Sequence, residues 1–338
     1  MVAPREEREL ITELCSRLRL DPVIAQLLVR RGLASAMEAE AYINPSLAMT
    51  HSPFLMEGMA EAVIRLEKAI ADGERIGIFA DSDLDGLSAL AVMDRLLDLA
   101  GARSDRVMRY PVDDDDYGLN MRSVEHFKKE GVSLLITLDS GVRDVAEVAR
   151  ARELGMDVLV CDHHEPGDVL PDAIIINPKM KTCSYPFREL AGVGVAFKLC
   201  CAVLYAREAE YNRRFLIVSG EDGAVSVSKI RNMVIESTEI FEGPLNAASI
   251  GMADCDFLLY HGLDEDFVGD LRGAGCSAIE HFLSYIEPEE GADRALTLED
   301  WCDAFSIRSD LYSRRIDILS RIFLERCYAA SAPLRSEE

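Results

Sequence analysis

The chain has 338 residues, and 49% of them are hydrophobic, which is enough for a packed core and argues against wholesale disorder. It carries 60 acidic against 36 basic residues, for a formal net charge of -24. A surface this acidic repels phosphate on average, which argues against a protein that coats nucleic acid non-specifically and against a membrane-surface protein. A local basic groove or a metal site is still compatible with it.

The sequence carries no targeting or membrane signal that we can identify. Residues 1–10 lack the apolar core of a signal peptide and the basic, acid-poor character of a transit peptide. The most apolar stretch, residues 191–206, contains Lys198 and is too short to span a bilayer. The nine cysteines form no C-x-x-C pair, so buried reduced thiols are expected. We therefore expect a cytoplasmic protein with no membrane partner.

The first part of the chain is predicted to be helical. Apolar residues recur at helical spacing over residues 6–18, 22–31, 36–43 and 59–71. An Asn-Pro-Ser break separates the third of these segments from the fourth. This pattern predicts a helical lead-in to whatever follows.

From residue 75 onward, short apolar runs alternate with helical stretches. The runs cover residues 75–80, 133–138 and 157–161, and the helical stretches cover 88–99 and 145–154. Such alternation is typical of a parallel sheet wrapped by helices. The predicted fold class is therefore α/β.

Each of the three predicted strands ends in acidic or imidazole side chains. In parallel sheets ligands bind at the carboxyl ends of the strands, so these side chains are expected to meet in one crevice. A turn or helix-cap role explains any one of them, but it does not explain all three strand ends together. Carboxylates packed at one edge repel each other unless a cation neutralises them. The residues are Asp81, Asp83, Asp85, Asp139, Asp162, His163 and His164.

This set of side chains predicts a divalent metal site. Mixed carboxylate and imidazole ligands suit Mn²⁺, with Mg²⁺, Co²⁺ or Zn²⁺ as alternatives. Asp83 is a candidate to bridge two ions roughly 3.5–4 Å apart, the spacing found in two-metal hydrolases. The predicted reaction is hydrolysis at phosphorus, with the ions supporting both the entering and the leaving oxygen.

Three segments resemble the first three motifs of the DHH phosphoesterases. They are Asp-Ser-Asp-Leu-Asp-Gly from Asp81, Thr-Leu-Asp-Ser-Gly around Asp139, and Asp-His-His from Asp162. Within that superfamily the sequence is most similar to the RecJ-type single-strand-specific exonucleases. Flanking phrases agree, among them Tyr-Pro-Phe from Tyr185 and Ala-Gly-Val-Gly-Val-Ala-Phe-Lys up to Lys198. The resemblance covers about residues 20 to 205.

The resemblance implies a set of metal ligands. Asp81, Asp83, Asp139 and His163 would bind the metal. Mn²⁺ is the expected ion, with Mg²⁺ as the alternative, and two ions are expected in the site.

The resemblance also implies residues that act beside the ligands. Asp85, Asp162 and His164 would support the metal site, and His164 would contact phosphate and assist charge neutralisation. Gly192 and Gly194 would let backbone N–H groups approach a substrate phosphate at the start of a helix. Close packing of helix on sheet is the alternative explanation for this glycine pair.

Besides mild differences at Ser82 and Ser140, two departures from the family pattern bear on the candidate site. Residues 113–116 are four aspartates, where RecJ-type chains carry a Pro-x-Arg element whose Arg would meet nucleic-acid phosphate. A solvated loop is the simpler interpretation of such a charge run. The family also places a further metal-binding Asp in a strand beyond the Asp-His-His motif. The nearest predicted strand, residues 214–218, has Ile217 at that place, with Glu221 or Asp222 as substitutes.

The distal part of the chain is predicted to form a separate α/β segment. A strand is predicted at residues 257–261 and helices at 296–305 and 314–328. The order of these elements faintly resembles the proofreading-exonuclease fold, but its Asp-x-Glu pair and the family's substrate-clamping domain are both missing from the sequence. The predicted domains are a helical lead-in over 1–72, a DHH domain over 73–208 and an α/β segment over 209–338.

Two functional hypotheses follow from this sequence. The first is a metal-dependent phosphodiester hydrolase that acts on single-stranded nucleic acid or short oligonucleotides. The second is a catalytically weakened DHH protein that serves as an interaction subunit in DNA replication or repair. The acidic surface, the lost Arg and the missing ligand of the fourth motif favour the second hypothesis, whereas the intact first three motifs favour the first.

Overall fold

The computed structural model describes residues 5–43, 51–102, 106–111, 118–207, 211–221, 224–232, 234–242, 250, 255–261, 263–273 and 279–281. These residues fall into two compact units, one formed by residues up to 43 and the other by residues from 51 onward. The helical segment predicted over 1–72 is thus divided between the two units. The division into three domains stays a prediction.

The first unit is a group of three helices: α1 (Arg5–Arg17), α2 (Pro22–Arg30) and α3 (Ala36–Ile43). Helix α2 begins after Asp21, whose carboxylate accepts a hydrogen bond from the Val23 N–H at 2.8 Å. Pro22 fits the first helical position because an N–H group there would have no partner within the helix, so proline loses no hydrogen bond. The core of the unit consists of Leu14, Ala25, Leu28, Ala36 and Ala39.

The second unit contains a parallel five-stranded sheet in the order β2-β1-β3-β4-β5. This confirms the predicted α/β class and parallel sheet. The central strands β1 and β3 are buried along their whole length, which matches their unbroken apolar sequences. The strands are β1 (Ile76–Ala80), β2 (Val107–Arg109), β3 (Leu134–Leu138), β4 (Asp157–Cys161) and β5 (Ile174–Ile176).

Five helices pack on this sheet. Alternate residues of the strands, such as Phe79 and Leu135, bury their side chains against Val124, Phe127 and Val148. These three residues belong to two helices that cover one face of the sheet, while the other three helices pack together and contact the strands from the opposite face. The helices are α4 (Met59–Asp72), α5 (Leu84–Leu99), α6 (Met121–Lys129), α7 (Val145–Glu153) and α8 (Gly192–Tyr205). Val124 and Phe127 belong to α6 and Val148 to α7, so these two helices cover one face of the sheet.

A second five-stranded sheet follows α8, in the order β10-β9-β6-β7-β8. Strands β6, β7 and β8 form an antiparallel meander, and β9 and β10 add to the β6 side in parallel. Its core residues include Leu216, Val218, Val227, Leu258 and Leu271. The elements are β6 (Arg214–Glu221), β7 (Ala224–Arg231), β8 (Val234–Glu242), β9 (Phe257–His261), α9 (Glu265–Gly273) and β10 (Ile279–His281).

The distal predictions are met only in part. Strands occur at the two predicted places, 214–218 and 257–261. The helices predicted at 296–305 and 314–328 lie outside the described residues. No helix in the described part of the chain is both long and apolar enough to cross a membrane.

Candidate metal centre

The three central strands of the parallel sheet end in one row. Ala80 lies opposite Leu138 in the next strand, and Leu138 lies opposite Cys161. The residue that follows each strand is an aspartate, and each aspartate donates its backbone N–H to the neighbouring strand. These hydrogen bonds join Asp81 to Leu138 at 3.2 Å, Asp139 to Cys161 at 2.9 Å and Asp162 to Ile176 at 3.0 Å. Three carboxyl groups are thereby aligned at the carboxyl edge of the sheet.

Two groups of side chains at this edge are spaced to hold metal ions. Asp81, Asp83 and Asp139 form one group, and Asp139, His163 and His164 form the other. Within each group the ligand atoms lie within 4.8 Å of one another. Asp139 is common to both groups, and the bridging of two ions by Asp83 stays a prediction. Oxygen and imidazole donors at this spacing fit divalent ions such as Mn²⁺ or Mg²⁺.

Asp139 is the most constrained member of the cluster. Its backbone φ is +57°, in the left-handed region that few residues other than glycine adopt, and the residue is 1% exposed. Burial raises the pKa of its carboxyl to about 6, although the nearby His163 imidazole opposes this rise. Its Oδ1 lies 3.1 Å from His163 Nε2 but accepts no well-aligned hydrogen bond. A buried carboxylate oxygen that lacks a good donor is what a metal ligand requires before the ion binds.

Asp83 and Asp85 lie at the start of helix α5 and have separate tasks. The Asp83 carboxylate caps the helix by accepting from the Gly86 N–H at 2.9 Å, while its side chain stays exposed toward the cluster. The Asp85 carboxylate reaches α8 and accepts from Gly192 N–H and Val193 N–H, both at 2.8 Å. Asp85 thus fixes the beginning of α8 beside the cluster and satisfies two N–H groups that have no partner within that helix.

Asp162 organises the loop that carries the two histidines. Its Oδ1 accepts from His163 N–H at 2.7 Å and from His164 N–H at 3.1 Å, and it lies 2.8 Å from His164 Nδ1. Its Oδ2 accepts from Val142 N–H at 3.0 Å. Burial alone would raise the pKa of Asp162, but these hydrogen bonds lower it, so the carboxylate stays ionised. The Asp162 contact orients the imidazole ring of His164.

His163 lies between two carboxylates. Its Nε2 is 3.1 Å from Asp139 Oδ1 and 3.8 Å from Asp85 Oδ2. Burial lowers the pKa of His163, but the contact with Asp139 outweighs this effect and raises it. The two carboxylates favour a proton on the His163 imidazole. A metal ion bound to this ring would replace that proton, since ligation requires the neutral imidazole.

The two predicted glycines differ in what surrounds them. A Cβ on Gly192 would lie 2.3 Å from Asp139 Oδ1, so only glycine fits against this ligand. Its N–H donates to Asp85, which a phosphate would have to displace. A Cβ on Gly194 would meet only the Leu190 side chain, at 3.3 Å. The structure therefore gives Gly192 a packing role of the kind that the alternative explanation describes, and phosphate binding by both glycines stays a prediction.

Comparison with known proteins agrees with this geometry. A model of the DHH family, N-terminal domain, matches residues 75–218. The single-stranded-DNA-specific exonuclease RecJ of Bacillus subtilis is 41% identical over 203 residues, which are 59% of this chain and 25% of that protein. The Escherichia coli protein of the same name is 36% identical over 185 residues, 54% of this chain and 31% of that protein. Residues 75–218 therefore match the DHH family.

The similarity of this DHH domain to RecJ covers only part of the relatives. The chain spans about a quarter to a third of the length of these two proteins. Among solved structures, RecJ of Thermus thermophilus in complex with Mn²⁺ is 28% identical, with a TM-score of 0.48 over 60% of this chain and 28% of that one.

Two residues beside the candidate site were not assigned a role from the sequence. Asn177, fully buried after β5, donates to His164 O at 2.9 Å and accepts from Lys179 N–H at 2.8 Å. Gly86 allows the first turn of α5 to pass the Asp81 backbone, because a Cβ there would lie 2.4 Å from Asp81 O. Asn177 follows β5, which was not predicted as a strand, so its position at a strand end could not be used as a signal.

The further metal-binding Asp of the DHH pattern, beyond the Asp-His-His motif, has no counterpart among the described side chains. The metal-binding groups in the described part of the chain come from the ends of β1, β3 and β4. Ile217 lies in the middle of β6, in the second sheet, and Glu221 is the last residue of that strand. Asp222 lies outside the described residues.

Proposed function

We propose that this chain is a divalent-metal-dependent phosphodiester hydrolase, similar to RecJ, that acts on single-stranded nucleic acid or short oligonucleotides. The observation that carries the proposal is the convergence of Asp81, Asp83, Asp139 and His163 at one sheet edge with metal-ligating spacing. The relatives named single-stranded-DNA-specific exonucleases support the substrate class. A role in DNA repair in the cytoplasm and the three-domain division of the chain belong to the same proposal.

Mn²⁺ is the proposed metal, with Mg²⁺ as the alternative, and the proposed site holds two ions. Asp81, Asp83 and Asp139 would hold one ion, and Asp139 and His163 would hold the other. Bound metal supplies Lewis-acid polarisation of the phosphoryl group. The burial of Asp81 and Asp139 excludes water from one side of the site and strengthens its electrostatic interactions.

The remaining side chains are proposed to orient the site and balance charge. The Asp162 contact raises the pKa of His164, although partial burial opposes it, so the imidazolium is favoured. A protonated His164 at the half-exposed rim would neutralise charge that develops on a phosphate oxygen. Asp85 would keep the start of α8 in place while substrate binds.

The alternative function is that of an interaction subunit in replication or repair. It is favoured by one specific observation, the lack of a fourth carboxylate ligand among the described side chains. The net charge of -24 also disfavours an extended contact with a nucleic-acid backbone.

Hydrolysis assays would separate the two functions. We would measure Mn²⁺-dependent cleavage of 5′-labelled single-stranded DNA and of a dinucleotide by the wild type, Asp139→Ala and Asp72→Ala. Asp72 lies at the end of α4, next to the amino end of β1, and is a matched carboxylate control. Cleavage by the wild type and by Asp72→Ala, with a loss of about 100-fold or more in Asp139→Ala, is expected.

Two outcomes would count against the hydrolase. The absence of metal-dependent turnover on both substrates would exclude it. A metal content of zero or one ion per chain, measured by elemental analysis after equilibration with Mn²⁺, would favour the interaction subunit instead.

A further inference from the structure

Arg109 is the last residue of β2, the edge strand beside β1. It lies opposite Phe79 in β1, two residues before Asp81. Adjacent strands are about 4.8 Å apart and two residues advance about 6.6 Å, so the Cα atoms of Arg109 and Asp81 are roughly 8 Å apart. Arg109 therefore lies at the carboxyl end of the edge strand, close to the candidate metal ligands.

One hydrogen bond fixes the half-buried side chain of Arg109. Its Nε donates to Ser123 Oγ at 3.2 Å. Ser123 is fully buried in the first turn of α6, where Asn120 caps its backbone N–H at 2.9 Å. The contact uses one of the five guanidinium N–H groups, which leaves the paired Nη side available for another acceptor.

Arg109 forms no ion pair with any side chain in the described residues. Arg106, three residues earlier, is neutralised by Asp94 at 2.7 Å and by Asp98. Arg109 is also the only basic residue between Arg106 and Arg122, in a chain of strongly acidic character. An arginine that pairs with none of the described carboxylates, close to carboxylates that metal would neutralise, has the properties of a phosphate contact.

We propose that Arg109 binds a phosphate of the nucleic-acid substrate next to the one that is cut. The inference rests on the proposed hydrolase and adds a substrate-positioning residue to it. The guanidinium would make paired hydrogen bonds to the phosphate oxygens, and the Ser123 contact would hold it toward the strand end. This gives an acidic protein one fixed positive contact for a polyanion close to the metal cluster.

The test compares Arg109→Ala and Arg109→Lys with Arg75→Ala. Arg75 precedes the amino end of the neighbouring strand β1, at the opposite edge of the sheet, and pairs with Glu130 at 3.6 Å. The probe is a 5′-fluorescein-labelled 12-mer of deoxythymidine, with Ca²⁺ in place of Mn²⁺ so that binding is read without cleavage. Fluorescence anisotropy is recorded across a series of salt concentrations, and thermal melting of each variant verifies its fold.

Arg109→Ala is expected to weaken binding by at least about 10-fold, because a hydrogen bond to a charged group is lost. Its dependence of log K on log salt should become shallower by about 0.7, the contribution of one phosphate contact on a single strand. Arg109→Lys should keep the salt dependence and lose part of the affinity, since it keeps the charge without the planar fork. With Mn²⁺, KM should rise more than kcat falls, and Arg75→Ala should match the wild type.

Each result has a separate meaning for the two proposals. If the wild type cleaves DNA but Arg109→Ala keeps its affinity and salt dependence, the inference about Arg109 is wrong and the hydrolase stands. If the wild type binds the 12-mer through Arg109 but cleaves nothing, the hydrolase fails and the phosphate contact stands. If the wild type does not bind the 12-mer at all, the inference about Arg109 is overturned, and the hydrolase is then decided by turnover of the dinucleotide alone.

Discussion

Gly192 and Asp139 show how closely the candidate site is packed at the level of single atoms. Asp139 is buried in a left-handed backbone conformation, and its carboxylate lies where a side chain at position 192 would begin. Gly192 has no such backbone constraint of its own, because it is the first residue of α8 with a helical conformation. Its requirement for glycine is therefore purely steric and comes from the candidate metal ligand.

We predict that Gly192→Ala lowers Mn²⁺ affinity and hydrolysis by at least about 10-fold, because the new Cβ displaces the Asp139 carboxylate. Gly194→Ala is the matched control for Mn²⁺ affinity, since its Cβ would meet only the Leu190 side chain and not Asp139. Calorimetric titration with Mn²⁺ and the DNA cleavage assay would measure both effects. Equal Mn²⁺ affinities for the two variants would show that Asp139 does not bind the metal.

Helix α8 is buried along its whole length and contains an amine in its interior. Lys198 is 4% exposed, and its Nζ donates to His51 O at 2.7 Å and lies 5.9 Å from the centre of the Tyr185 ring. Burial lowers the pKa of this amine to about 8. The hydrogen bond fastens the segment before α4 onto α8, at the cost of burying a group that is charged in water.

The depressed pKa of Lys198 predicts a pH-dependent stability. Between pH 8 and 10.5 the unfolded chain binds the proton more tightly than the folded chain, so the free energy of unfolding rises with pH in this window. The rise is on the order of 2 kcal/mol between pH 7 and 9.5. Urea unfolding of the wild type and of Lys198→Met at both pH values should show this rise in the wild type alone. Lys129→Met, at an exposed site on α6, should behave like the wild type, and an unchanged pH response in Lys198→Met would contradict the assignment.

Long, regular elements could be predicted from their sequence periodicity, and short edge elements could not. The predicted bounds of α3 and β4 agree with the structure, because each carries the apolar pattern of its class. Strands β2 and β5 have three residues each, too few for a period to be read, and they form only because β1 and β4 offer an edge to pair with. Helix α6 was also not predicted, because its two buried apolar residues, Val124 and Phe127, stand among polar residues.

Contacts between distant positions explain what the sequence could not predict about the site. That Asp81, Asp139 and His163 converge could be expected, since parallel strands end at a common edge. The bond from Asp85 to Gly192 joins residues 107 positions apart, and nothing local in either segment encodes it. The same holds for the Arg109 contact with Ser123, because β2 and α6 were not predicted.

At the scale of the whole molecule, metal and fold should stabilise each other. Mn²⁺ at about 100 times its Kd adds roughly 2.7 kcal/mol to the free energy of unfolding, because it binds only the folded site. For a domain of this size such a gain raises Tm by several degrees. We predict this shift for the wild type and for Asp72→Asn, and its loss in Asp139→Asn, by thermal melting with Mn²⁺ and with a chelator. An identical shift in all three proteins would mean that the ion binds elsewhere.

The alignment of three strand ends also determines when the site can form during synthesis. The candidate ligands run from Asp81 to His163, and Gly192 closes the packing against Asp139. A partial chain that ends before His163 lacks one of the two groups of candidate ligands. A partial chain that ends before α8 lacks the backbone N–H groups that hold Asp85. Because synthesis proceeds from the N-terminus at about 5–20 residues per second, metal loading has to wait several seconds after Asp81 is made. Until then the acidic strand ends of the nascent protein are not neutralised, and their mutual repulsion disfavours premature closure of the sheet.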